Sequence, residues 1–228
     1  MTLNLFPLLQ LCDSNFPSGS FSHSFGFETY IQEHVIYDSN SFKQALITYL
    51  KKQLVYTEGL ACKLAFELAE IQDHADWIEL DQLLFSSCLA KETRLANKRI
   101  GERMLKLCAQ LYPSEQLLAY LNQLQNKQVH GHAAIVFAIV AHHLEVPMKT
   151  AVGTYLYANL SSLVQNAVRG IPIGQSAGQQ ILVEVQPILE ESIQTITQLT
   201  IEDFGAVIPG LEIAQMRHEK LHVRLFMS

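Results

Sequence analysis

Charge is scarce in this chain. Lys, Arg, Asp and Glu make up 17% of its 228 residues, against about 25% in an ordinary globular domain. So few charges cannot cover the outside of a folded protein, and part of its apolar surface is expected to lie against another chain. Breakers are scarce too: only 11 Gly and 7 Pro, which favours helices over turn-rich β architecture. A positive excess is lacking. The formal charge of −6 argues against DNA or RNA as a partner, because phosphates bind to basic surfaces. With 49% apolar residues, disorder is excluded as well.

The four cysteines, Cys12, Cys62, Cys88 and Cys108, form no CxxC pair and no short spacing. They are read as small buried hydrophobes in a reducing compartment, not as a disulfide framework or metal site. Long hydrophobic runs are also missing. The longest uncharged apolar stretch, Ala133 to Ala141, is about half of what a bilayer span needs. The N-terminal MTLNLFPLLQLC has no Lys or Arg before Lys43, and Asn4, Pro7 and Gln10 interrupt it, so it does not fit a signal peptide. A soluble, cytoplasmic protein with no membrane partner is expected.

What is present is helical periodicity. Phe42, Ala45, Leu46, Tyr49 and Leu50 recur at three- and four-residue steps after the cap candidates Ser39, Asn40 and Ser41. Leu60 to Ile71, Leu80 to Ser87 and Ile100 to Leu111 continue the pattern. Ser114 with Glu115 starts a further helix to about Gln125. The segment from His132 to Leu144 is apolar nearly all round, which predicts a buried central helix. A long stripe runs from Met148 to Gly170. Pro172 is placed to open the next helix, and Pro187 to break or kink it, with Ile188 to Leu199 following. No repeat, linker or β-hairpin signal appears. The expected fold class is all-α: a single domain over residues 1–228, built of about ten helices, with residues 205–228 as a flexible, partner-binding tail.

Several motifs tempt a chemical reading. His218-Glu219-Lys220-Leu221-His222 matches H-E-x-x-H, which on a helix places two imidazoles on one face to hold Zn²⁺. A zinc hydrolase is therefore the alternative function. It lacks a third ligand, since Val223 to Ser228 contain none of the usual ones. His142 and His143 are read as helix-end histidines, because adjacent ones point about 100° apart; His130 and His132, flanking Gly131 at a helix start, are read the same way, with weak metal chelation as the alternative. Gly170, Gly174 and Gly178 fall at four-residue intervals, and in one helix they would line one face for close packing. Gln175 and Gln179 stand beside them. No phosphate-binding loop and no G-x-S-x-G elbow is present.

Three segments together carry a resemblance. The first, LLQLCDSNFPSGSFSHSFGFE, has P-x-G-x-[FY]-[ST]-x-S-x-G-x-E through Pro17, Gly19, Phe21, Ser22, Ser24, Gly26 and Glu28. The second, NAVRGIPIGQSAGQQIL, has R-x-[IV]-P-[LI]-G-Q-x-x-G-Q through Arg169, Pro172, Gly174, Gln175, Gly178 and Gln179. The third is the ending MRHEKLHVRLFMS, through Met216, Arg217, His218, Glu219, Arg224, Leu225, Phe226 and Ser228. In content, order and placement these resemble the UreF family of urease accessory proteins.

The resemblance implies an all-helical homodimer without enzymatic activity or cofactor. Such proteins join the accessory protein UreD (also called UreH) and the GTPase UreG on apo-urease and assist GTP-dependent nickel insertion. The C-terminal tail would be a principal contact to UreD. In these terms His222 falls in a variable stretch. The tail is then expected to be mobile until it folds onto its partner.

Overall fold

The computed structural model describes residues 4–71 and 76–228. Positions 1–3 of the N-terminal apolar run lie outside the described residues. Eleven α-helices and three short 3₁₀ turns, and no strand, occur among the described residues. The first helices are α1 (Leu5–Cys12), α2 (Phe27–Gln32), α3 (Ser39–Lys52) and α4 (Glu58–Ile71). Next come α5 (Asp76–Ser87), α6 (Lys91–Leu111), α7 (Glu115–Gln125) and α8 (Ala133–His143). The last three are α9 (Met148–Gly170), α10 (Gln175–Gln198) and α11 (Pro209–His218).

The centre is α8, whose residues Ala134 to Ala141 are all buried. A helix apolar on every side must be wrapped, and α4, α6, α7 and α9 pack around it. α10 lies along α9 and α3, while α11 lies against α2 and α6. His132 caps α8: its Nδ1 accepts from the Ala134 amide at 3.2 Å. The turn before it is held by Asp81, which accepts from the Tyr120 hydroxyl (2.6 Å) and from the amides of His130 (2.5 Å) and Gly131 (3.0 Å). Here α6 passes so close that a Cβ on Gly101 would stand 2.1 Å from the Gly131 carbonyl oxygen.

Most helix boundaries follow their local signals. Ser114 caps α7 by accepting from the Leu117 amide. α3 starts in the expected place, but its cap is Asp38, one residue before the candidates, in a capping box with Ser41.

Three expectations about the last third are corrected. Pro172 does not open a helix; it lies in the turn after α9, and α10 begins at Gln175 with Gly174 as N-cap. Pro187 does not end α10, which continues through it to Gln198. The carbonyl left without its donor belongs to Val183, which is 61% exposed, so water can satisfy it. The three glycines do not share a helix face, because the turn separates Gly170 in α9 from Gly178 in α10. Their surroundings differ: a Cβ on Gly178 would stand 3.0 Å from Val168 and 3.1 Å from Val164, one on Gly170 3.3 Å from Ile31, and Gly174 is open.

Candidate interaction site

The first and third motifs meet, with Arg169 of the second between them. The loop from Phe16 to Gly26 ends in two consecutive left-handed residues, Phe25 (φ +51°) and Gly26 (φ +89°). A Cβ on Gly26 would also strike the Gln215 side chain at 2.8 Å, so the position suits only glycine. This turn aims the amides of Ser24 and Phe25 at one point, where both donate to the Ser228 main-chain oxygen (2.5 and 3.1 Å). The Ser24 hydroxyl adds a third bond to that oxygen at 2.8 Å. Beside it His23 Nδ1 pairs with the Ser228 hydroxyl at 2.8 Å, and the Met227 amide donates to the Ser22 carbonyl at 2.8 Å.

Glu28, in the first turn of α2, is 2% exposed. Its carboxylate accepts from the amides of Leu225 (2.6 Å) and Phe226 (3.1 Å) and lies 2.9 Å from His218 Nε2. The other ring nitrogen of His218 lies 2.8 Å from Glu92, which also accepts from Arg224 at 2.8 Å. His218 has no exposure at all. Both ring nitrogens of His218 thus face carboxylate oxygens. Burial pushes Glu92 up, but hydrogen bonds from His218 and Arg224 outweigh it and hold the carboxyl below its usual range. His23 is lowered to about 4, by burial first and then by the charges of Arg103 and Arg99.

Arg169 closes the assembly. It donates to the Phe21 carbonyl at 2.8 Å and to Asn166, and its guanidinium lies 5.2 Å from the centre of the Phe226 ring. Asn166 in turn donates to the His23 carbonyl at 2.7 Å. The arm following α11 is therefore docked on its own chain. It is held in alternation: Phe226 and Ser228 are buried, whereas Leu225 and Met227 are 65% and 55% exposed. The expected mobility of the tail is not confirmed: the N-terminal loop supplies partners that a free tail would lack.

Other expected site residues lie outside this network, while Phe21 enters it only through its carbonyl, its side chain being exposed. Pro17 is exposed, and Gly19 (φ +86°) lies beneath the Arg103 guanidinium. Met216 is exposed and Arg217 pairs with Glu33 at the surface, while Glu219 borders a groove beside α6. Pro172, Gly174, Gln175 and Gln179 are all exposed around the start of α10. Sequence reasoning missed Glu92, Asn166 and His23. None carries a local signal, and only the fold brings them to the arm.

The HEKLH segment does not form the helical zinc motif. α11 ends at His218, both nitrogens of that ring are engaged, and His222 is exposed in the following turn. Among the described residues no group of three His, Cys, Asp or Glu is placed to hold a metal ion. His130 stacks on Phe85 at 3.5 Å. All four cysteines are free. Burial pushes the thiols of Cys12 up to about 11 and of Cys88 and Cys108 to about 12, which makes them poor nucleophiles.

Fold and site together define an all-α protein with a self-docked C-terminal arm. The UreF family model matches residues 36–186. The chain is 65% identical over 224 residues to a urease accessory protein UreF of Bacillus sp. (strain TB-90), covering 98% of this chain and 99% of the relative. It is 49% identical to those of Lachnoclostridium phytofermentans and Geobacillus kaustophilus, each over 221 residues and 97% of this chain, covering 97% and 96% of the relatives. The chain belongs to the UreF family of urease accessory proteins.

Proposed function

We propose that this protein is a non-catalytic scaffold for nickel insertion into urease. It joins UreD/UreH and the GTPase UreG on apo-urease, works as a homodimer in the cytoplasm, and handles Ni²⁺ only as the cargo of the assembly. Family membership supports the role in urease maturation. No helix among the described residues is long and apolar enough to cross a membrane.

The observation that carries the reading is the alternation of the arm. Polar groups grip its backbone, so Val223, Leu225 and Met227 stand outward at 70%, 65% and 55% exposure. The exposed Phe21 lies in the same loop that receives the arm, at 45%. Apolar side chains held out by a rigid backbone form a binding surface with little ordering entropy left to lose. In this reading the arm residues Met216, Arg217, His218, Glu219, Arg224, Leu225, Phe226 and Ser228 divide in two. His218, Arg224, Phe226 and Ser228 fix the shape, and the outward residues touch UreD/UreH.

The test is the double variant Leu225→Glu, Met227→Glu, co-expressed with UreD/UreH and UreG. Both side chains are exposed, so the helical circular dichroism and melting temperature are expected to stay unchanged. Co-purification with UreD/UreH is expected to fall roughly tenfold or more, as for loss of central apolar contacts. Unchanged co-purification would reject the reading.

A further inference from the structure

α6 carries a concentration of charge that the rest of the chain lacks. Lys91, Arg99, Arg103 and Lys106 are all exposed, and steps of eight, four and three residues place them along one side of the helix. None of them takes part in a salt bridge among the described residues. The two acids of α6 are engaged elsewhere: Glu92 with His218 and Arg224, and Glu102 with Lys98. Like charges four residues apart on a helix, such as Arg99 and Arg103, repel. Arg103 is held in place over Gly19, where a Cβ would meet its guanidinium at 2.6 Å. Beside the stripe runs an open groove of about 240 Å³, bordered by Lys91, Arg99, His23 and the arm residue Met227, with Glu219 and the engaged Glu92 also on its rim.

We propose that this face of α6 is a docking surface for an acidic segment of a protein partner. From Lys91 to Lys106 the helix rises about 22 Å, the length of roughly seven residues of extended chain. A polypeptide bearing several Asp or Glu side chains therefore matches the stripe in length and in sign. Charge complementarity favours it over nucleic acid or a lipid surface, because the chain as a whole carries a net charge of −6 despite the stripe. A long polyanion would be repelled outside the stripe, while a short segment need touch nothing else. The surface adjoins the docked arm at Met227, so one partner could span both.

The test uses the full chain and a fluorescently labelled oligo-glutamate peptide, with binding followed by anisotropy at about 20 mM salt, where surface charges are little screened. Saturable binding is expected, weakening steeply as salt rises. Two charge-reversed variants, Arg99→Glu with Arg103→Glu and Lys91→Glu with Lys106→Glu, are each expected to lose roughly tenfold or more in affinity. The second pair keeps the experiment decisive if changing Arg103 over Gly19 disturbs folding. An oligo-lysine peptide should bind the reversed chains better than the original. A Leu225→Ser variant, changed outside the groove, should bind oligo-glutamate normally, which separates this surface from the apolar one on the arm. The proposal is overturned by absence of peptide binding, by unchanged affinity in both reversed variants, or by tighter binding of short duplex DNA or phosphatidylserine vesicles than of the peptide.

Discussion

Glu28 shows how much one side chain can organise. Its carboxylate receives two amides of the arm and the imidazole of His218, all in a nearly dry position. Removing an acceptor from such a cluster leaves buried donors unpaired, which costs more than the bonds contribute on balance. For Glu28→Ala, a loss of about 3 kcal/mol is expected, the range for breaking a buried ion pair. The loss should be uneven along the chain. Hydrogen exchange at the Leu225 and Phe226 amides should speed up to near the unfolded rate, while the α8 amides change only with global stability. Equal loss of protection everywhere would mean that Glu28 supports the fold at large and not the arm.

Among the elements, α10 is the one that departs furthest from its sequence signal. A proline inside a helix removes one hydrogen bond and crowds the preceding turn, about 3 kcal/mol in an exposed host helix. α10 nevertheless continues because its buried positions Ile181, Leu182, Val185, Leu189 and Ile196 keep one face on the core across Pro187. Pro187→Ala is therefore expected to stabilise the protein by about 1–2 kcal/mol, the helix gain being partly offset by a more flexible unfolded chain. Urea unfolding midpoints would measure it. A neutral or destabilising result would show that the proline sets a bend on which packing depends. The helix signals elsewhere were legible: the all-round apolar α8, the Ser114 cap and the long run of α9 are all written in local spacing. The docking of the arm was not, because Glu92, Asn166 and Glu28 lie far apart in sequence and have no periodic relation to it.

For the molecule as a whole, stability should depend on pH through buried titratable groups of opposite tendency. Glu58 lines a cavity of about 40 Å³ together with Thr93 and His132, and burial raises its carboxyl from 4.5 to about 7. The unfolded chain gives up this proton first, so Glu58 lowers stability as pH rises from about 4.5 to about 7. His132 runs the other way. Burial lowers it to about 4, so stability is lost as pH falls from 6.5 toward 4, where only the unfolded chain takes up the proton. Glu58→Gln removes one side of this opposition. The variant should gain about 1–3 kcal/mol over the original chain at pH 8, with little gain at pH 4. Denaturant unfolding at the two pH values decides it, and an equal effect at both would place the cause in packing and not in charge.

By itself the sequence determined the all-helical class, the buried central helix and the family, because each rests on local periodicity or on short runs of residues read in place. Tertiary structure alone decided that Glu28, His218 and Glu92 form one network, that the arm turns back onto the first loop, and that Lys91 and Arg99 of α6 line a groove beside it. These depend on distances between residues more than a hundred positions apart. Hydrophobic burial, which drives the chain together, has no direction, so the pairings emerge only once the packed helices set which polar groups must satisfy one another.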